Sequence, residues 1–304
     1  MPSPVAEQSL TLSDGAELVI RQHGCVGAPR LVLSHGNGLA IDGYAAFWLP
    51  LCQTHEVIVF DMRNHGRNSL HDLAQHRFDR LALDIGEVFE CITEVFGASP
   101  CAGIFHSMSA IAATTRLATA GPYCDALVLV DPPVYPPSGH RLEQGELAEM
   151  NALTERASRR PTDYASPDEL ATSYTNGRAF KRWVTRAAQD MAKATLRLHE
   201  NTQRWHLSCP REYEAKIYAS NSEPIAWQTL TSELNLPVLL LGGDPQLENQ
   251  MQPALLSEAL SQEGPIEYRS VPQTTHFLQI EEPLACIEEI EQFFKREVSQ
   301  CSGR

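Results

Sequence analysis

The feature that most constrains the fold is an alternation of short apolar, often β-branched runs with longer helical patterns. Apolar strands separated by helices are typical of a mostly parallel sheet covered on both faces. The predicted strands are Leu18–Arg21, Leu31–Ser34, Val57–Asp61, Ala102–Phe105, Ala126–Val130, Val238–Leu241 and Glu267–Val271. The predicted helices are Tyr44–Cys52, Phe78–Phe96, Met108–Ala120, Pro253–Gln262 and Pro283–Val298. We therefore expect an α/β fold, and Asp14-Gly15 predicts a hairpin turn in an opening antiparallel pair.

The alternation breaks in the middle of the chain. Residues 133–236 have helical patterns throughout, including Leu142–Ser158, Ser166–Tyr174 and Trp183–His199. The charge changes there too: residues 141–216 carry a net +2, whereas the rest of the chain carries −16. We predict a core domain of residues 1–132 and 237–304, with a helical lid inserted at 133–236.

The composition excludes several classes of protein. A net charge of −14 disfavours nucleic-acid partners. There is no apolar run of about 18 residues, so no membrane span is predicted. The eight cysteines form no C-x-x-C pair, and no secretory signal pattern opens the chain, so we expect a cytoplasmic protein without a zinc knuckle.

Four polar signals each follow a predicted strand. They are the loop His35-Gly36-Asn37-Gly38 after "LVLS", Ser107 in "GIFHSMSAIAA", Asp244 in "VLLLGGDP" and His276 in "PQTTHFLQIEEP". Taken alone, each has an ordinary structural explanation as a turn, a loop-capping acid or a structural histidine. Because ligands gather at the carboxyl ends of parallel strands, we expect the four to lie together.

Their order along the chain, glycine-rich loop, Ser, Asp and His, is that of α/β-hydrolases. The chain resembles this superfamily over nearly its whole length. "FDMRNHGRNS", residues 60–69, resembles a loop in which Asp61, Arg63 and His65 shape the fold. "CPREYEA", residues 209–215, resembles a lid segment of bacterial esterase-like members. The turn around the serine departs from the family's Gly-x-Ser-x-Gly, because Phe105 and Ser109 replace the two glycines.

The resemblance implies a serine hydrolase that needs no cofactor or metal ion. Ser107 would be the nucleophile and His276 the general base, and Asp244 would hold the imidazole. Asp131, in "LVLVDPP", is the alternative acid because some family members carry it after this earlier strand, and Glu248 is a third option.

The oxyanion of the tetrahedral intermediate would need preorganised donors. The backbone N–H groups of Asn37 and Met108 are the candidates, and the Asn37 side chain is a possible third donor. Three arginines of the insertion, Arg178, Arg182 and Arg186, are four residues apart, which predicts one helix face. They would bind a substrate carboxylate or form ordinary surface ion pairs.

The expected reaction is hydrolysis of a small-molecule carboxylic ester, thioester or lactone. Amide or C–C bond hydrolysis and acyl transfer use the same machinery. A ligand-binding or signalling protein with slow turnover remains an alternative, since the superfamily includes such receptors. Cofactor-free oxygenation is also known on this fold.

Overall fold

A computed structural model describes residues 1–248 and 251–301 of the chain. Its strands are β1 Ala6–Thr11, β2 Glu17–Gly24, β3 Arg30–Ser34, β4 Glu56–Phe60, β5 Cys101–His106, β6 Ala126–Val130, β7 Asp163–Tyr164, β8 Leu196–His199, β9 Arg204–Leu207, β10 Val238–Gly242 and β11 Glu267–Ser270. Its α-helices are α1 Ala45–Leu51, α2 Phe78–Phe96, α3 Met108–Ala120, α4 Glu143–Ser158, α5 Pro167–Asn176, α6 Ala187–Thr195, α7 Arg211–Ser220, α8 Ile225–Leu230, α9 Gln252–Glu263, α10 Leu278–Glu281 and α11 Pro283–Cys301.

Eight of the strands form one sheet in the order β1-β2-β4-β3-β5-β6-β10-β11. The pairs β1–β2 and β2–β4 are antiparallel, whereas the remaining pairs are parallel. This confirms the predicted α/β class and the opening antiparallel pair. All the carboxyl ends of the parallel strands therefore meet at one edge of the sheet.

Helices cover both faces of the large sheet, as predicted. Along β3, Val32 packs into the cluster with α2, α3, α8 and α9, and its neighbours Leu31 and Leu33 pack into the cluster with α1 and α11. Successive residues of a strand point to opposite faces. Because both faces are buried, β3, β4, β6 and β10 are apolar almost throughout.

The segment between β6 and β10 contains α4 to α8 but is not helical throughout. The predicted helix Trp183–His199 is wrong in its extent: α6 ends at Thr195, and Leu196–His199 forms β8. This strand pairs with β9, which also pairs with β7, to give a separate three-stranded sheet. Burial along β8 falls steadily from Leu196, which is buried, to Leu198 and His199, which are exposed, so the strand is defined by its pairing with β9 and not by an alternating pattern.

The end of this segment packs on the core. Ala226, Trp227 and Leu230 of α8 join the apolar cluster that contains α2 and α3. The domain boundary at residue 236 therefore stays a prediction. No described helix is both long and apolar enough to cross a membrane.

Candidate active site

Ser107 lies in the tight turn between β5 and α3, at the carboxyl edge of the large sheet. Its backbone has φ +54°, in a region that residues other than glycine rarely adopt. The Ser107 N–H donates to the Val130 carbonyl at 3.0 Å, which fixes the turn to β6. Such strain in a turn concentrates at functional positions.

The core accommodates Phe105 in place of the first glycine of the family's turn. The Phe105 ring is fully buried, with ring centroids 6.4 Å from Phe60 and 6.3 Å from Phe89. Gly103, two residues earlier on the same strand, leaves the space, since a Cβ there would lie 2.5 Å from the Phe105 ring. The bulky ring therefore points into the core, and the turn keeps its shape.

Ser109, which replaces the second glycine, holds the turn through its hydroxyl group. Its Oγ accepts a hydrogen bond from the His106 N–H at 3.0 Å and donates to the His106 carbonyl at 2.9 Å. The side chain is fully buried. The serine thus adds local hydrogen bonds where a glycine would add none.

Three side chains form a continuous hydrogen-bonded chain at this edge. His276 Nε2 lies 3.0 Å from Ser107 Oγ, and His276 Nδ1 lies 2.8 Å from Asp131 Oδ2. A carboxylate only accepts hydrogen bonds, so Nδ1 carries the proton and Nε2 accepts from the serine. Asp131 is fully buried, and its other oxygen accepts the Gly243 N–H at 3.1 Å.

The prediction that Asp244 holds the imidazole is wrong in this geometry. Its carboxylate accepts the N–H groups of Gln246 at 2.9 Å and Gln273 at 2.8 Å, and it makes no contact with His276 among the described residues. Asp244 instead joins the loop after β10 to the loop that carries His276. Glu248 is exposed and has no described contact with the imidazole either.

The glycine-rich loop leaves one backbone N–H free near the serine. The Gly36 N–H donates to Tyr44 Oη at 3.3 Å, and the Gly38 N–H donates to His65 Nε2 at 3.1 Å. Within the described chain, the Asn37 N–H between them has no partner. The Asn37 N–H therefore stays the predicted backbone donor.

The second predicted donor is the Met108 N–H, in the first turn of α3. It also donates to no other group of the described residues, as is usual for the first N–H groups of a helix. The Asn37 side chain, the predicted third donor, already has one hydrogen-bond partner. Its Nδ2 donates to the Glu214 carbonyl of α7 at 2.9 Å, so it ties the loop to the inserted segment.

His106 is a site residue that the sequence analysis missed. Its Nδ1 lies 2.7 Å from Tyr44 Oη, and its Nε2 lies 2.8 Å from the His276 carbonyl. Complete burial, with the neighbouring His276, holds the pKa of His106 well below its ordinary value. The neutral ring therefore links the glycine-rich loop, through Tyr44 and Gly36, to the backbone of His276. Its position directly before Ser107 was the one available signal.

The loop at residues 60–69 has the structural role that the resemblance implied. Asp61 accepts the Ile41 N–H at 2.8 Å and the Arg67 N–H at 3.0 Å. Arg63 is buried and pairs with Asp84 and with Asp14. These contacts stabilise the loop at residues 60–69, which supports the glycine-rich loop through the bond from the Gly38 N–H to His65.

A cavity of about 300 Å³ contains Ser107 and His276 in its wall. The inserted segment supplies most of the remaining lining, which is largely apolar and aromatic. Phe180 of the insertion packs against Phe277 with ring centroids 5.3 Å apart. Arg160 also lines the cavity and pairs with Glu214 at 2.5 Å.

The predicted arginine face does not form. Arg178 belongs to a short 3₁₀ turn, and Arg186 has φ +75° and only precedes α6. Arg182 donates to the Gln273 carbonyl at 2.9 Å. All three are exposed, and none lines the cavity; the arginines that do are Arg156 and Arg160.

His65, His76 and Cys209 are the described residues that come close enough to share a metal ion, with ligand atoms within 4.8 Å of one another. Their hydrogen bonds do not suit one. His76 Nδ1 faces the Asn64 amide nitrogen at 3.2 Å and must accept from it, because Asn64 Oδ1 already accepts the His71 N–H. His76 Nε2 therefore carries a proton and offers no lone pair.

Comparison with known proteins identifies related chains. The sequence profile of the alpha/beta hydrolase family matches residues 31–289. No curated protein sequence gives a significant match. The fold is similar to solved structures described as E-2-(acetamidomethylene)succinate hydrolase (15% identity, TM-score 0.78, 95% of this chain and 99% of that one) and an esterase from Thermogutta terrifontis with malate bound (20%, 0.69, 96% and 99%). It is also similar to the epoxide hydrolase CorEH (17%, 0.68, 96% and 99%).

Proposed function

Because the chain belongs to the alpha/beta hydrolase family, we propose that it is a serine hydrolase that cleaves a small-molecule carboxylic ester. One observation carries the proposal: the chain of hydrogen bonds from Ser107 through His276 to Asp131 ends in a cavity large enough for a small ligand. A hydroxyl group bonded to an imidazole, which is itself bonded to a carboxylate, is the arrangement that activates serine for acyl transfer.

In the proposed reaction, Ser107 Oγ attacks the ester carbonyl while His276 Nε2 takes its proton. Asp131 holds the Nδ1–H and stabilises the imidazolium that forms. The backbone N–H groups of Asn37 and Met108 stabilise the oxyanion, each by roughly 3 kcal/mol. His276 then protonates the leaving alcohol, and a water molecule cleaves the acyl-enzyme by the same route.

The cavity supports a small and largely apolar substrate. Phe180, Phe277 and Leu153 form part of its wall, and residues of the inserted segment supply most of the rest. We propose that this segment acts as the lid. The structures with this fold are named as hydrolases of different bonds, an esterase among them, so the ester bond rests on the serine chemistry of this site.

The test is covalent labelling with a fluorophosphonate, followed by kinetics with a p-nitrophenyl ester. We expect the label on Ser107, and we expect Ser107→Ala to lose both labelling and turnover, by roughly 10⁶ in kcat. The melting temperature should change little. Ser158→Ala, an exposed serine on α4, is the matched control and should behave as the wild type.

Two outcomes would contradict the proposal. Labelling at Ser109 would move the nucleophile within the turn. A single slow turnover, without steady release of product, would favour a ligand-binding protein that retains the site but does not catalyse repeated turnovers.

A further inference from the structure

A second cavity, of about 600 Å³, lies between the small sheet of the insertion and the loop that follows β4. Its lining includes residues 67–70 of the core and residues from β8 and β9. None of its lining residues belongs to the cavity that contains Ser107. It is therefore a separate space, and the proposed hydrolysis does not use it.

Two arginines in its wall have no acidic partner among the described side chains. The guanidinium of Arg197 donates to the Ala194 and Leu196 carbonyls, at 3.3 and 2.9 Å. Arg211 donates weakly to the Arg160 carbonyl at 3.4 Å. Among the side chains that the structure describes, no carboxylate lies at ion-pair distance from either guanidinium. Half-buried cations usually have such a partner, so neither guanidinium is paired directly.

Neutral donors complete the wall. Ser208 is 6% exposed, and its Oγ has no hydrogen-bond partner among the described residues. His206 Nε2 is also buried without a partner. Buried polar atoms are normally satisfied, so both point to a ligand that accepts hydrogen bonds.

The acidic groups near the cavity either pair with another cation or are exposed to solvent. Arg67, a third cation in the wall, pairs with Asp42 at 3.2 Å. Glu212 is the carboxylate that lines the cavity, and it is exposed. Burial lowers the pKa of Arg197, and the positive charge of Arg67 adds to this effect, although Asp61 and Asp42 oppose it. An anion beside Arg197 would offset the positive charge of Arg67.

We infer that this cavity, which we call the basic cavity, binds the phosphate group of a small phosphorylated molecule. Arg197 and Arg211 would supply the charge, and Ser208 and His206 would donate further hydrogen bonds. A phosphate dianion offers three acceptor oxygens, which matches several donors better than a carboxylate does, and arginine suits it geometrically. The volume leaves room for an organic group beside the phosphate.

The experiment is calorimetric titration of the full-length protein with inorganic phosphate, phenyl phosphate and benzoate. Chloride at equal ionic strength is the reference, since exposed charges are screened by salt. We expect both phosphates to bind, phenyl phosphate more tightly, and benzoate to bind at least roughly tenfold more weakly, because it offers fewer acceptors and less charge. Tighter binding of inorganic phosphate than of the phenyl ester would assign the site to the free ion.

The variants decide whether the basic cavity is the site. Arg197→Gln with Arg211→Gln should weaken binding of phenyl phosphate at least roughly tenfold, and Ser208→Ala by several-fold. Arg159→Gln removes one positive charge from an exposed arginine paired with Glu155 and should leave binding unchanged. The melting temperature of each variant without ligand checks that it folds, and Ser208→Ala tests the site if the double variant does not.

Two results would overturn the inference. The first is equal affinity for phenyl phosphate in Arg197→Gln/Arg211→Gln and in Arg159→Gln. The second is that neither phosphate binds to the wild type. The titration is repeated in Ser107→Ala. Binding should persist there, so this result is independent of whether the protein proves to be a hydrolase.

Discussion

Two aspartates follow neighbouring strands of the large sheet, and their surroundings separate their roles. Asp131 comes directly after Val130, the last paired residue of β6. It is fully buried and contacts His276. Asp244 lies three residues beyond Leu241, the partner of Val130 in β10. It is half-buried and accepts two backbone N–H groups.

The number of residues between the end of a strand and its aspartate therefore decides which carboxylate reaches His276. Gly242 and Gly243 separate Asp244 from the edge and let the loop lie close to its neighbour; a Cβ on Gly243 would be 2.8 Å from the Thr275 carbonyl oxygen. The Gly243 N–H then donates to Asp131. The glycine pair thus supports the acid on β6, and the acid that follows it only holds the loop.

The strongest test of this comparison is Asp131→Asn. The amide has no negative charge to stabilise the imidazolium, and it has one accepting oxygen for the two N–H groups that Asp131 accepts, so the ring loses its charge partner and can adopt the wrong tautomer. We expect kcat for a p-nitrophenyl ester to fall by roughly 10⁴. Steady-state kinetics measure the fall. A loss below about tenfold would return the role to Asp244.

Asp244→Asn should have a much smaller effect on activity. One amide oxygen can still accept one of the two N–H groups, and the other N–H loses its acceptor. We expect a cost of about 1–3 kcal/mol in the free energy of unfolding and a fall in kcat of no more than roughly tenfold. Urea denaturation and kinetics on the same samples measure both. If Asp244→Asn proved more damaging to kcat than Asp131→Asn, the comparison between the two acids would be reversed.

Sequence reasoning predicted the large sheet well because its signals are local. Buried strands such as Leu31–Ser34 and Ala126–Val130 are apolar runs, and each precedes a helical pattern. Ser107 and His276 were also predicted from local signals, a turn into a helix and a loop after the last strand. The choice between Asp131 and Asp244 depends on how two loops stack, and no local pattern reports that.

The inserted segment was harder to predict for a related reason. Its small sheet consists of strands of two to four residues, too short for a clear two-residue period. The contacts of His106 and Asn37 likewise join distant parts of the chain, so residue type and neighbours gave no indication of their partners.

The carboxyl group of Glu146 on α4 sharpens the comparison, because its surroundings differ from those of both aspartates. It is fully buried, and neither oxygen has a hydrogen-bond partner among the described residues. Burial raises its pKa to about 8, and the nearby charge of Glu149 adds to this shift. Where Asp131 has an imidazole and Asp244 has two N–H groups, Glu146 avoids charge by keeping its proton.

This state makes stability depend on pH in a defined direction. The unfolded chain releases the Glu146 proton near the ordinary glutamate pKa of 4.5, whereas the folded chain holds it to about pH 8. Between these values the folded state binds more protons, so its stability falls as the pH rises. Glu146→Gln removes this dependence, because the amide does not titrate.

We therefore expect Glu146→Gln to be nearly neutral at about pH 5 and to stabilise the protein increasingly toward pH 8, by a few kcal/mol at most, since one pH unit contributes about 1.4 kcal/mol. Activity should stay within roughly twofold, because Glu146 does not line the cavity of Ser107. Urea denaturation across this pH range is the measurement, and Glu155→Gln, an exposed residue of the same helix, is the control. If the curves of Glu146→Gln and wild type run parallel, then Glu146 is charged in the folded protein and must have a partner, which would remove the contrast with the two aspartates.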